Sequence, residues 1–177
     1  MSLNFTPEQQ QIRDSVMKLC QRFDDQYWLQ RDSDGIFPED FCQALVDDGW
    51  MGIAMPEEYG GSGLGITEAA IMAQAITESG AGNAGFAAIV IGIFGLNPVV
   101  VFGTEEQKRK WLPPIIKRQD IACFAVTEPN TGLDTTRLKT RAVDKGDHYL
   151  VNGEKIWTST AQVCNKMLII ARTKDES

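Results

Sequence analysis

The spacing of apolar residues changes once along this chain, near Asp120, and that change constrains the fold more than any other feature. Upstream, Ile12, Val16, Leu19, Phe23 and Tyr27 recur at steps of three and four, the spacing that lines one face of a helix. Downstream, Ile121–Val126 reads as a strand, 137–143 alternates, and 166–172 is one more apolar run. Helices followed by strands, rather than a βαβ alternation, predict an α+β chain with two subdomains, 1–120 helical and 121–177 of β type.

Helix boundaries are written in the caps. Thr6-Pro7-Glu8-Gln9 is a capping box with proline at the first helical position, and it predicts a first helix from Thr6 to about Arg31. A second helix is expected over 38–48, stopped by Gly49, then a glycine-rich loop from Met51 to Gly65. Residues 66–79 and 82–103 read as third and fourth helices. Thr104-Glu105-Glu106-Gln107 opens a fifth, which Pro113-Pro114 is expected to end. In the β half, Asn152-Gly153 between 148–151 and 154–158 predicts a two-residue hairpin.

The stretch 82–103 is apolar enough to imitate a membrane span, but Asn97-Pro98 and its many glycines favour a close-packed buried helix. Net charge is −7, which argues against nucleic acid and gives no attraction to an anionic membrane surface. Any anionic ligand must be held by local donors. Cys20, Cys42, Cys123 and Cys164 lie in apolar stretches without a C-x-x-C pair, so they are expected as reduced thiols rather than disulfides or metal ligands, in a reducing, cytoplasmic setting. Acidic doublets and the single His148 read as solvated; no metal site is expected. Gly60-Gly61-Ser62-Gly63-Leu64-Gly65 is not G-x-G-x-x-G and reads as a connector. Arg137, Lys139 and Arg141 would share one face of a strand, either a solvated face or a basic strip near a phosphate.

The most informative segment is A-C-F-A-V-T-E-P-N-T-G-L-D, from Ala122 to Asp134. A strand that ends in a hydroxyl, a carboxylate and a proline is more than a turn needs. Thr127 offers a hydroxyl at the strand end, Pro129 turns the chain away, and Gly132 lets backbone approach a ligand closely. Lys155-Ile156-Trp157-Thr158-Ser159 adds an indole face with two hydroxyls beside it. Together they suit a flat heteroaromatic ring with a polyanionic tail.

These segments, with P-E-E-Y-G-G at 56–61, W-L-P-P at 111–114 and Y-L-V-N-G-E-K-I-W-T-S at 149–159, closely resemble the acyl-CoA dehydrogenase family of flavoproteins along essentially the whole chain. The resemblance implies an N-terminal helical domain followed by the first strands of an antiparallel β-barrel-like domain, truncated before a C-terminal helical bundle. It implies FAD, with Phe124, Ala125, Val126 and Thr127 at the isoalloxazine edge, Trp157 packed on the ring and Thr158 and Ser159 beside it. Gly132 and Leu133 would lie along its pyrophosphate. It implies α,β-dehydrogenation of an acyl-CoA to a 2-enoyl-CoA, with electrons passed to an electron-transfer flavoprotein or similar acceptor. A homotetramer or homodimer is implied. The catalytic base, a glutamate of the bundle, is expected beyond Ser177, so no catalytic residue is assigned here. Leu133 departs from the serine common in the family, where it meets cofactor and CoA substrate; that loss keeps a flavin-dependent oxidase or monooxygenase open. A non-catalytic module using the apolar helix 82–103 is the third reading.

Overall fold

The computed structural model describes residues 5–174, which separate into two compact units, Met1–Ile121 and Ala122–Ser177. The first is built from helices. Helix α1, Pro7–Cys20, begins in the expected capping box, with Thr6 and Gln9 exchanging both bonds. The first helix does not run on to Arg31. It stops at Gln21, and α2, Asp25–Asp34, starts afresh with Asp24 accepting the Tyr27 N–H at 2.9 Å. The periodicity concealed this break because Phe23 and Tyr27 still meet edge to face, with centroids 5.0 Å apart, across the corner. Helix α3, Glu39–Asp47, ends at Gly49, whose φ of 80° supplies the left-handed stop.

The loop from Met51 to Gly65 is less irregular than its glycines suggest, since it contains two 3-10 turns, Trp50–Gly52 and Glu57–Tyr59. Helices α4, Ile66–Ile76, α5, Gly82–Val90, and α6, Asn97–Phe102, follow with π turns between them. The run Ile66–Phe102, 37 residues, is long and apolar enough to cross a bilayer. Its first part supplies core, with Met72, Ala75 and Ile76 wholly buried among Val16, Phe41 and Leu45. The close-packed buried helix expected over 82–103 is only partly covered: Ile89 and Ile93 are buried, whereas Phe94, Val101 and Phe102 are exposed. Helix α7, Glu105–Ile116, carries its two prolines inside rather than ending at them. Pro113 and Pro114 forfeit two N–H donors, but their carbonyls still accept from Lys117 at 3.1 Å and Gln119 at 2.8 Å. Burial of Leu112, Ile115 and Ile116 holds the last turn in place. Arg118 then closes the helix with φ 54°, both guanidinium bonds going to Glu39 at 2.6 Å.

Among the described residues the second unit holds four short strands: β1, Ala122–Ala125; β2, Arg141–Asp144; β3, Tyr149–Asn152; and β4, Lys166–Ile169. The β2–β3 pair is antiparallel, as expected, whereas β1 and β4 pair in parallel, Cys123 opposite Met167. Arg172, just past β4, bonds backbone to backbone with Thr140 and Ala142 and so joins the two pairs. Two strand expectations need correction. Residues 135–137 form a 3-10 turn, so only Arg141 of the three alternating cations lies on a strand. The hairpin turn is not Asn152-Gly153 but 145–148, where the Lys145 N–H reaches His148 O at 2.9 Å and Gly146 takes φ 96°.

Candidate functional site

The carboxylate of the Thr-Glu-Pro segment has a structural answer. After β1 the chain closes a two-residue turn on Pro129 and Asn130, with Glu128 and Thr131 exchanging backbone bonds of 2.9 and 3.0 Å. The Glu128 side chain turns inward, 6% exposed. It accepts the Lys139 N–H at 2.6 Å, the Thr140 N–H at 2.8 Å and the Lys155 ammonium at 2.9 Å. Burial works to raise its pKa, but bonding from Thr140, Lys139 and Lys155 overrides this and holds the carboxyl down, to about 2. Lys155 divides its charge between Glu128 and the Val126 carbonyl, 2.8 Å away.

This knot decides where the Trp157 segment lies. With Lys155 anchored, the Ile156 N–H bonds to Thr127 O at 2.9 Å, so the hydroxyl-bearing strand end and the indole-bearing segment run side by side. It also explains why Asn152-Gly153 makes no hairpin, since the residues after Gly153 are drawn to the end of β1. Gly153 is essential to that path: a Cβ there would stand 2.2 Å from Thr140 Oγ1 and 2.7 Å from Thr140 Cα. Because the obstacle is backbone, Gly153→Ala is expected to destabilise the second unit by about 1–3 kcal/mol. A lowered urea midpoint, read through Trp157 emission, checks this.

The predicted site residues do not form one cluster. Phe124, Val126 and Thr127 are half-buried, and Ala125 is fully buried with its carbonyl already taken by the Ile170 N–H at 3.1 Å. Trp157 is 86% exposed and Ser159 is exposed, with Thr158 half-buried between them. Gly132 and Leu133 occupy the exposed loop beyond the turn, Leu133 wholly in solvent, and no hydrogen bond among the described residues ties them to Trp157. Gly132 has neither a left-handed φ nor anything within 4 Å of a Cβ position, so the chain's own packing gives no reason for glycine there.

Three features mark this corner as more than a covered sheet edge. Trp157 holds φ 58°, a conformation costly for a side-chain-bearing residue, while presenting its ring to water. Thr160 shares the strain, with φ 67°, and its buried Oγ1 has no partner. Among the described residues the knot leaves the Thr127 hydroxyl, the Trp157 indole and the Ser159 hydroxyl outside its bonds. An exposed indole beside a free hydroxyl fits a planar ring with polar edges.

The alternating cations meet by a different route. Arg137, Lys139 and Arg141 line one cleft of about 820 Å³ together with Thr136, Arg172 and Lys174. Five cations around one cleft of a chain with net charge −7 make a local field suited to an anion. Neither the inward turn of Glu128 nor the part of Arg172 and Lys174 was visible in spacing; both depend on contacts across many residues. Among the described residues no cluster of His, Cys, Asp and Glu is placed to hold a metal.

A helical unit followed by a β unit, with an exposed aromatic at a strand-end corner, matches known families in both halves. The model of the acyl-CoA dehydrogenase N-terminal domain matches residues 6–119, and that of the middle domain matches 123–177. The chain belongs to the acyl-CoA dehydrogenase family. It is 34% identical to the probable acyl-CoA dehydrogenase YngJ of Bacillus subtilis over 98% of its own length and 45% of that protein's. Among solved structures, the glutaryl-coenzyme A dehydrogenase complex with glutaryl-CoA superposes with TM-score 0.86 at 28% identity, over 98% of this chain and 45% of that one. The FAD complex of PigA gives 0.89 at 25% identity, over 99% and 46%. The chain thus spans less than half the length of these relatives.

Proposed function

We propose that this chain is the N-terminal portion of a flavin-dependent dehydrogenase that oxidises an acyl-CoA thioester to a 2-enoyl-CoA. The observation that carries the reading is Trp157, exposed and strained, directly after Ile156, whose N–H bonds to Thr127 O. FAD, bound at this corner, supplies a hydride acceptor. The chain's own part is to bind and orient. Trp157 offers the stacking face, and the hydroxyls of Thr127 and Ser159 stand ready to donate to the ring's edges. The buried Lys155–Glu128 pair keeps the two segments in register. Gly132 leaves its backbone open to a diphosphate, and the backbone N–H of Leu133 is still there to donate, although the bond of a serine hydroxyl is lost. The basic cleft around Arg137 and Lys139 suits a phosphate-bearing group of cofactor or substrate. In the helical unit, a groove of about 390 Å³ lined by Met55, Leu64, Ile66, Ile93, Phe94 and Val100 offers hydrocarbon surface of the kind an acyl chain needs.

None of these residues is assigned as the base that takes the α-proton. An electron-transfer flavoprotein or similar acceptor and a homo-oligomer are the partners this reading proposes. The cysteines, scattered without a C-x-x-C pair, make a reducing, cytoplasmic setting the localisation proposed. Titration with FAD is expected to quench Trp157 emission. Trp157→Ala is expected to weaken FAD binding on the order of tenfold, the worth of one stacked aromatic. Gly132→Ala should weaken binding without moving the unfolding midpoint. A folded protein that takes up no FAD, or binds it equally well without Trp157, would overturn the assignment.

A further inference from the structure

We propose that Cys123 and Cys164 are the two halves of a reversible intrachain disulfide that pins the Trp157 loop to β1. Their sulfurs are 3.1 Å apart, though separated by 41 residues. Bond formation needs a closure of about 1 Å, to the ordinary S–S length of about 2.05 Å. The two thiols are differently placed. Cys123 is wholly buried in β1, opposite Met167, whereas Cys164 is partly exposed at the end of the turn that follows Ser159. The turn already aims Cys164 inward: its N–H bonds to Thr160 O at 3.1 Å, and its sulfur lies 3.5 Å from Ala161 O. Cys20 and Cys42, the other two thiols, are buried in the helical unit and face no second sulfur among the described residues.

That asymmetry gives the pair an order of events. The reachable thiolate of Cys164 attacks a small-molecule disulfide, forming a mixed disulfide and releasing one thiolate, which takes up a proton. Cys123, a contact away, then attacks the Cys164 sulfur, gives up its own proton and expels the second thiol. The protein loses two protons and two electrons; the small disulfide gains them as two thiols. Burial raises the Cys123 thiol to about 12, so it is the slower, resolving member and is protected from direct attack by an external oxidant. The bond closes a long loop in the unfolded chain, which stabilises the folded unit. It also removes freedom from the segment that carries Trp157, Thr158 and Ser159, so oxidation state is coupled to the corner described above. The linkage itself rests only on the two sulfurs and stands whether or not that corner binds flavin.

The test is oxidation of the native chain with oxidised glutathione, acid quenching, unfolding, alkylation and peptide mapping. The expected product joins the Cys123 and Cys164 peptides, leaves Cys20 and Cys42 alkylated, weighs two hydrogens less than the reduced chain and reverts with dithiothreitol. Its thermal midpoint is expected to lie above that of the reduced form. Cys123→Ser should leave glutathione trapped on Cys164, while Cys164→Ser should leave Cys123 unmodified. Four alkylated cysteines after oxidation, or glutathione retained on Cys164 of the unsubstituted chain, would overturn the proposal.

Discussion

Glu128→Ala is expected to cost the second unit about 3–5 kcal/mol, the usual penalty for removing one partner of a buried ion pair. The Lys139 and Thr140 N–H groups lose their acceptor, and the Lys155 ammonium, whose side chain is only 10% exposed, loses its counter-charge and keeps only the Val126 carbonyl. The same carboxylate sets an acid limit. Its pKa in the folded chain is depressed to about 2 from an ordinary 4.5, so the folded state binds this proton less readily than the unfolded state. The stability it contributes is therefore complete above about pH 4.5 and is lost progressively as pH falls toward about 2. Urea unfolding across that window should show the loss in the unsubstituted chain. Glu128→Gln should begin lower and stay flatter through the same window. A Glu128→Ala midpoint that differs little from the parent would mean that the knot is incidental, and the juxtaposition of Thr127 with Trp157 would need another cause.

The second large effect is expected in the helical unit. Phe41 is wholly buried and meets Phe23 and Trp28 edge to face, with centroids 5.3 and 5.0 Å away. Phe41→Ala removes the α3 ring that packs against α2 and the corner before it, and truncations of this kind cost about 3–5 kcal/mol, the removed surface and the residual cavity both contributing. Folded domains hold only about 5–15 kcal/mol in total, so a large part of the unit's stability is at stake. The loss should appear as a lower denaturant midpoint for the far-ultraviolet helical signal. Phe41→Leu, which retains most of the volume, should recover much of it. An unchanged helical midpoint in Phe41→Ala would show that the aromatic cluster does not govern this unit.

Local signals were legible wherever a few neighbouring residues suffice. The Thr6–Gln9 and Thr104–Gln107 boxes formed as read, and Gly49 stopped α3. The change of period at Asp120 falls beside the boundary between the compact units. Signals failed where a remote contact outweighed them. A three- and four-residue spacing continued through Phe23 and Tyr27, yet Asp24 capped a new helix there because the aromatic pair closes the corner between two helices as well as along one. Pro113-Pro114 was read as a stop, but Leu112, Ile115 and Ile116 bury enough surface to carry the turn past it. Asn152-Gly153 carried a strong hairpin signal, and the bonds of Lys155 and Ile156 to the end of β1 drew the chain elsewhere. At the candidate site, Thr127 and Trp157 were both legible as residue types. The bond from Ile156, the residue before Trp157, to Thr127 was not, because it depends on the inward turn of Glu128 and on the absence of a side chain at Gly153.

By itself, then, the order of residues determined that helices precede strands, where most helices begin, and which family the motifs resemble. Each of these depends on interactions within a turn or two, or on the identity of a short segment. Only the tertiary structure decided that a carboxylate and an ammonium 27 residues apart share a buried site, that two sulfurs 41 residues apart touch, and that cations expected on one strand meet around a cleft instead. Such pairings are set by how the whole unit excludes water, and sequence spacing carries no record of that.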